Sequence, residues 1–143
     1  MPQQQDYAHH AKFDPPFHFF LAPLSLIFVI LTAVYAFRNP SIENFLHIVV
    51  ALWAMVAVFK TRIYALKVQD RVIRLEERLR LKELAPANFQ ARIGELSEDQ
   101  LIGLRFASDA EVADLAKKAL DEKLDRKQIK QAVKNWRPDF WRV

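Results

Sequence analysis

From Phe17 to Phe37 the chain runs 21 residues, FHFFLAPLSLIFVILTAVYAF, without an Asp, Glu, Lys or Arg. As a helix rising about 1.5 Å per residue, this run covers roughly 30 Å, the thickness of a bilayer's hydrocarbon core. A soluble domain in a chain of 143 residues rarely needs a helix so long and so apolar on every side, so the run predicts a transmembrane span. Asp14 followed by Pro15 and Pro16 marks its start, since a carboxylate there accepts from an orphan N–H and prolines sit where N–H groups go unpaired anyway. Pro23 removes one hydrogen bond inside the span, which a membrane helix tolerates or answers with a kink.

A second uncharged run, Phe45 to Phe59, has 15 residues and is short for a span on its own. Carried back to Ile42 and forward to Tyr64, with Lys60 and Arg62 lifting their charged ends to the interface, it becomes long enough. Ser41 supplies an N-cap and Glu43 an acid in the first turn. The connection, residues 38–41, is so short that spans 17–37 and 42–64 must form an antiparallel hairpin. A cleaved signal peptide ending near Ala36 is the competing expectation; the prolines, the single Lys12 and the length of the run speak against it.

Charge is distributed unevenly. Residues 60–82 hold eight Lys and Arg against Asp70, Glu76 and Glu77, whereas residues 83–143 hold eleven of each sign. The positive-inside rule therefore predicts that the C-terminal part is cytoplasmic and, with two spans, that residues 1–16 are cytoplasmic too. Lys60, Arg62, Lys67 and Arg71 are the candidate contacts to anionic headgroups.

Nothing between Ser41 and Pro86 stops a helix, and roughly 43 residues make about 64 Å, twice what a bilayer needs. Residues 65–85 are thus expected to project as a helical stalk. On it Ala65, Val68, Val72, Leu75 and Leu79 recur at spacings of three and four, a coiled-coil seam about two heptads long. Val68, Val72, Leu75 and Leu79 are the candidate partner-binding edge, for the chain's own C-terminal helices, a second copy or another membrane protein. Asp70 with Arg74 and Glu76 with Arg80 are spaced to support the helix.

Residues 86–143 predict a small helical module. SEDQ from Ser97, SDAE from Ser108 and DRKQ from Asp125 each match a capping box and predict three short helices, preceded by a fourth with Phe89, Ile93 and Leu96 on one face. Leu101 and Leu104, then Val112, Leu115, Ala119 and Leu120, then Ile129, Val133 and Trp136 form the expected core stripes. Pro138 is expected to stop the last helix, and Phe140 and Trp141 beyond it are further candidate partner contacts, free to tuck into the module, lie on the interface or enter a partner's groove.

Chemistry is mostly excluded. With no cysteine there is no disulfide or thiolate metal site, and with two glycines no glycine-rich phosphate loop. His18 and His47 begin opposite ends of the hairpin, some 22 Å apart in depth, and cannot share a ligand. His9 and His10, as neighbours, point apart and lack the spacing a metal site uses. His47 is expected to face a protein neighbour. The basic stretch lacks stacking aromatics, so no nucleic acid is expected. No enzyme, cofactor or metal is expected.

The stretches YAHHAKFDPPFHFF, RIYALKVQDRVIRLEERLR, LRFASDAE and IKQAVKNWRPDFWRV resemble a bacterial family of small two-span membrane proteins known only as a domain of unknown function. The resemblance implies bacterial origin and membrane placement, and no activity. The expectation is an all-α interaction or scaffold protein, an accessory subunit of a membrane assembly. The alternatives are a regulatory module contacting anionic lipid or a small ligand and, behind it, an electron-transfer or metal-binding accessory subunit.

Overall fold

The computed structural model describes residues 6–7 and 13–139. Within them the chain is helical, with no strand, and divides into two compact units at Val68.

The first unit holds a π-helical turn, Pro16–Leu21, then α1, Ala22–Arg38, and the first part of α2, which runs unbroken from Ile42 to Leu84. Asp14 starts the first helical segment as its sequence suggests, its Oδ1 accepting from the Phe17 N–H at 3.4 Å and its carbonyl from the His18 N–H at 2.9 Å. The π turn sits directly before Pro23, and the Ala22 N–H reaches back to the Phe17 carbonyl. A proline without an N–H, whose ring crowds the carbonyl four residues back, is accommodated by the wider turn. Asn39 and Asn44 close the connection, Asn44 Nδ2 donating to the Asn39 carbonyl at 2.7 Å and the Asn44 N–H to Ser41 Oγ at 3.2 Å.

Pro16–Arg38 and Ile42–Leu84 are both long and apolar enough to cross a membrane, with mean hydropathy of 2.3 and 2.0 in their most apolar windows. Almost none of those apolar side chains is buried: Phe19, Phe37 and Trp53 are 74%, 92% and 69% exposed. Helices in the core of a soluble protein would bury them. The small hydroxyls on them bond backward to the helix itself, Ser25 to Ala22 O, Thr32 to Phe28 O and Thr61 to Ala57 O, each at 2.9 Å, which spares those O–H groups a cost in an apolar medium.

The second unit is built the other way. α2 continues to Leu84, followed by α3 (Ala87–Gln90), a 3₁₀ turn (Ile93–Glu95), α4 (Glu98–Leu104), α5 (Val112–Asp121) and α6 (Arg126–Ala132). Their stripes meet in one core: Leu101, Leu104, Phe106, Val112 and Ile129 are fully buried, with Phe89, Ile93 and Leu96 beside them. The expected fourth helix is broken into α3 and the 3₁₀ turn, yet its three apolar residues face the core together.

Ser97–Gln100 and Asp125–Gln128 form complete capping boxes at α4 and α6. Gln100 does more than cap. Its Nε2, buried, donates to the Ala119 carbonyl at 2.9 Å and the Leu124 carbonyl at 3.1 Å, tying α4 to the end of α5. That end is closed by Lys123 in a left-handed conformation, φ 53°, with the Leu124 N–H returning to Ala119 O. At Gly103, α4 and α6 approach so closely that a Cβ would lie 3.2 Å from Ile129 and 3.3 Å from the Arg126 carbonyl.

Two expectations fail here. The SDAE box forms only halfway, because Glu111 also accepts the Lys134 and Asn135 N–H groups at 3.1 and 2.9 Å and becomes a clamp on the last segment; α5 starts at Val112, and Ser108 Oγ caps nothing. For the same reason α6 ends at Ala132 and not at Pro138. Beyond it the chain leaves the helix at Val133 and bends at Lys134 and Asn135, Trp136 pairs in an antiparallel bridge with Ala107, and its ring lies 5.0 Å from Phe106.

Candidate interaction surfaces

Between Val68 and Leu84, α2 has two faces. At 100° per residue, Ile73, Glu77 and Leu81 fall on one line down the helix and Val68, Val72, Leu75 and Leu79 on another, about 170° away. The module packs on the first line: Ile73, Glu77 and Leu81 are all buried. The second stays open, with Val68 61%, Val72 48%, Leu75 60% and Leu79 53% exposed. The seam read from the sequence is therefore not the face that meets the chain's own helices.

The inward face carries a buried carboxylate held by arginines. Arg80 Nη1 donates to Glu77 Oε2 at 3.0 Å, its Nη2 to the Ala107 carbonyl at 2.7 Å and its Nε to Asp109 Oδ1 at 2.7 Å, so one guanidinium joins α2 to the segment after α4. Arg137 Nη1 approaches Glu77 Oε1 at 3.7 Å, and Arg74 pairs with Glu98 at the start of α4. Burial pushes the Glu77 carboxyl above its ordinary range, and the attraction of Arg80 and then Arg137 offsets only part of that rise. A cleft of about 400 Å³ opens beside the cluster, lined by Glu76, Glu83, Arg80, Asp109 and Arg137. The pairings expected within α2 are not the ones made: Arg74 bonds the Asp70 backbone carbonyl and pairs with Glu98, and Arg80 takes Glu77 in place of Glu76. Arginines with a tertiary carboxylate in reach use their planar fork there.

In the first unit, Arg62 pairs with Asp14 at 3.1 Å and lies 5.6 Å over the Phe17 ring, which in turn meets Phe59 edge-on at 5.6 Å. These contacts bring the start of the first helical segment to α2 at Arg62 and make the pair antiparallel. A mostly apolar cavity of about 300 Å³ lies beside them, walled by Leu21, Val58 and Thr61. Arg62, proposed from sequence as a headgroup contact, thus spends its charge on Asp14. Lys60, Lys67 and Arg71 remain exposed, Lys60 with its ammonium 5.5 Å from the Tyr64 ring.

His18 Nδ1 lies 2.8 Å from the Asp14 carbonyl and its ring 4.9 Å from Phe13, a helix-start contact and not a ligand set. His47, expected to face a protein neighbour, is exposed. Among the described residues no group of three His, Asp or Glu is placed to hold a metal. His9, His10, Phe140 and Trp141 lie outside the described residues.

The fold and these surfaces define an all-α protein in which two helices long and apolar enough to cross a membrane lead into a small helical module. The chain belongs to the family of unknown function DUF6526, whose family model matches residues 1–143. No curated protein matches it, and no solved structure does.

Proposed function

We propose that this chain is a non-enzymatic interaction or scaffold subunit, anchored in the bacterial inner membrane by its two apolar helices and serving a larger membrane assembly from the cytoplasmic side. The exposed apolar surface of α1 and the first part of α2 supports the anchoring, and the basic excess after Phe59 supports cytoplasmic termini. One observation carries the interaction role. Val68, Val72, Leu75 and Leu79 stay exposed after the module has taken the opposite face of the same helix, and water is a poor permanent neighbour for that row.

Extraction of the tagged full chain in mild detergent at native expression tests this reading. The expected result is a complex larger than one chain that dissociates when Val72 and Leu75 are both replaced by Ser. A monomer alone, with no change in the double variant, contradicts it.

A second reading has its own observation. Lys67 and Arg71 are exposed and make no ion pair among the described residues, so a regulatory contact with anionic headgroups is open to them. For the full chain in nanodiscs, this reading expects protection of residues 67–71 from trypsin by anionic lipid at low salt and its loss at high salt. Protection independent of lipid charge contradicts it.

A further inference from the structure

The inference concerns what covers the open row of α2, and it rests on the interaction reading above. With Val72 and Leu79 at heptad position a and Val68 and Leu75 at d, Arg71 and Arg78 fall at g and Glu76 and Glu83 at e. All four charged residues are exposed and none makes an ion pair within the described residues. In a parallel, in-register pair each g residue faces the e residue five positions on in the other helix. Arg71 then faces Glu76 and Arg78 faces Glu83, in both directions. An antiparallel pair would set arginine against arginine and glutamate against glutamate.

The module leaves this arrangement free. Its contacts fall on Ile73 and Arg80 at b, Arg74 and Leu81 at c and Glu77 at f, the three positions a coiled coil turns away from its partner. Valine at a followed by leucine at d is also the choice that favours two strands. Lys82 at d and Thr61 at d bound the apolar row, so the paired stretch is about two heptads, too short to hold in dilute solution. Two copies anchored in one membrane in the same sense meet at a raised effective concentration and already parallel.

We propose that the Val68–Leu79 edge binds the same edge of a second copy of this chain in a parallel, in-register two-stranded coiled coil, with register set by Arg71 to Glu76 and Arg78 to Glu83 pairs between the copies.

The chain has no cysteine, so a single one introduced anywhere is unique. In isolated membranes holding full-length chain, mild oxidation of Val72→Cys or Leu75→Cys is expected to give about ten times more disulfide-linked dimer than Lys67→Cys or Arg74→Cys, because only a and d residues meet their own copies within bridging distance. Adding Arg71→Glu to the Val72→Cys chain is expected to reduce that dimer, and adding Glu76→Arg as well to restore it.

Equal yields at all four positions, or no rescue by the double exchange, overturn the proposal. A Val72→Cys thiol that links instead to a chain of another mass also overturns it, while leaving the interaction reading intact. A thiol at 72 that resists both oxidation and a water-soluble maleimide marks an edge covered by the chain's own residues, and a freely reactive thiol that links to nothing marks an uncovered one. Either result ends both this proposal and the interaction reading on which it rests.

Discussion

The two faces of α2 beyond Val68 are made from similar material and have opposite fates. The outward face is a clean row of Val and Leu and is left open; the inward face has a glutamate at its centre and is the one buried. Apolar content alone does not decide which face a helix hides. The module reaches α2 through an arginine that bonds Glu77, Asp109 and the Ala107 carbonyl at once, and the leucine and isoleucine on either side of Glu77 seal the contact. A carboxylate that is buried but multiply bonded makes a face specific to one partner, whereas an uninterrupted apolar row with charged flanks has the pattern of a coiled-coil seam.

This contrast is open to experiment. Breaking the inward face at its hub has the largest expected effect: Arg80→Ala leaves Glu77 buried with only the more distant Arg137, and is expected to cost about 3 kcal/mol of unfolding free energy in urea titration of the full chain. A loss below about 1 kcal/mol would mean that the cluster is decoration on a contact made by Ile73 and Leu81.

A smaller, pH-dependent effect is expected from Glu77 itself. Its folded carboxyl titrates above the unfolded value, so the native state binds more protons in the window that opens near pH 4.5 and extends upward to the folded value, and stability falls as pH rises through it. Glu77→Gln removes that titration. The variant is therefore expected to gain on wild type as pH is raised from about 4.5 towards neutrality, measured as the difference in denaturant midpoint. A gap that widens in favour of wild type would show the arginine pairs outweighing burial.

The outward face carries the smallest effect. Val68→Ser is expected to change the module's unfolding free energy by less than about 0.5 kcal/mol, since its side chain touches none of the module's core.

Much of the architecture was legible in the sequence because it rests on local signals. The two uncharged runs, the boxes at Ser97 and Asp125 and the stripes through Leu101, Leu115 and Ile129 each declare themselves within a few residues. The inward face of α2 was not legible. Glu77 in the middle of Ile73 and Leu81 reads as a solvent face, and the groups that complete its cluster are remote in sequence: Ala107 and Asp109 lie 27 and 29 positions from the Arg80 that bonds them, and Arg137 comes from the last described segment. Glu111 misled in the same way: its spacing from Ser108 suits a capping box, but the carboxylate is taken by backbone N–H groups 23 and 24 residues on. The open edge was visible as a row and only half understood, since periodicity marks a face that needs covering and says nothing of whether the rest of the chain will cover it.

The division of α2 into two faces is tested most directly by amide exchange of α4, α5 and α6 in full-length Leu81→Ala and Leu75→Ala, side by side in the same membrane mimetic. Leu81 is fully buried against the module and Leu75 is 60% exposed on the other side. Cavity formation at Leu81 is expected to speed exchange in α4–α6 by at least about thirtyfold, while Leu75→Ala leaves those rates within about threefold of wild type. Equal acceleration by the two substitutions would put Leu75 in the module's core and contradict the account.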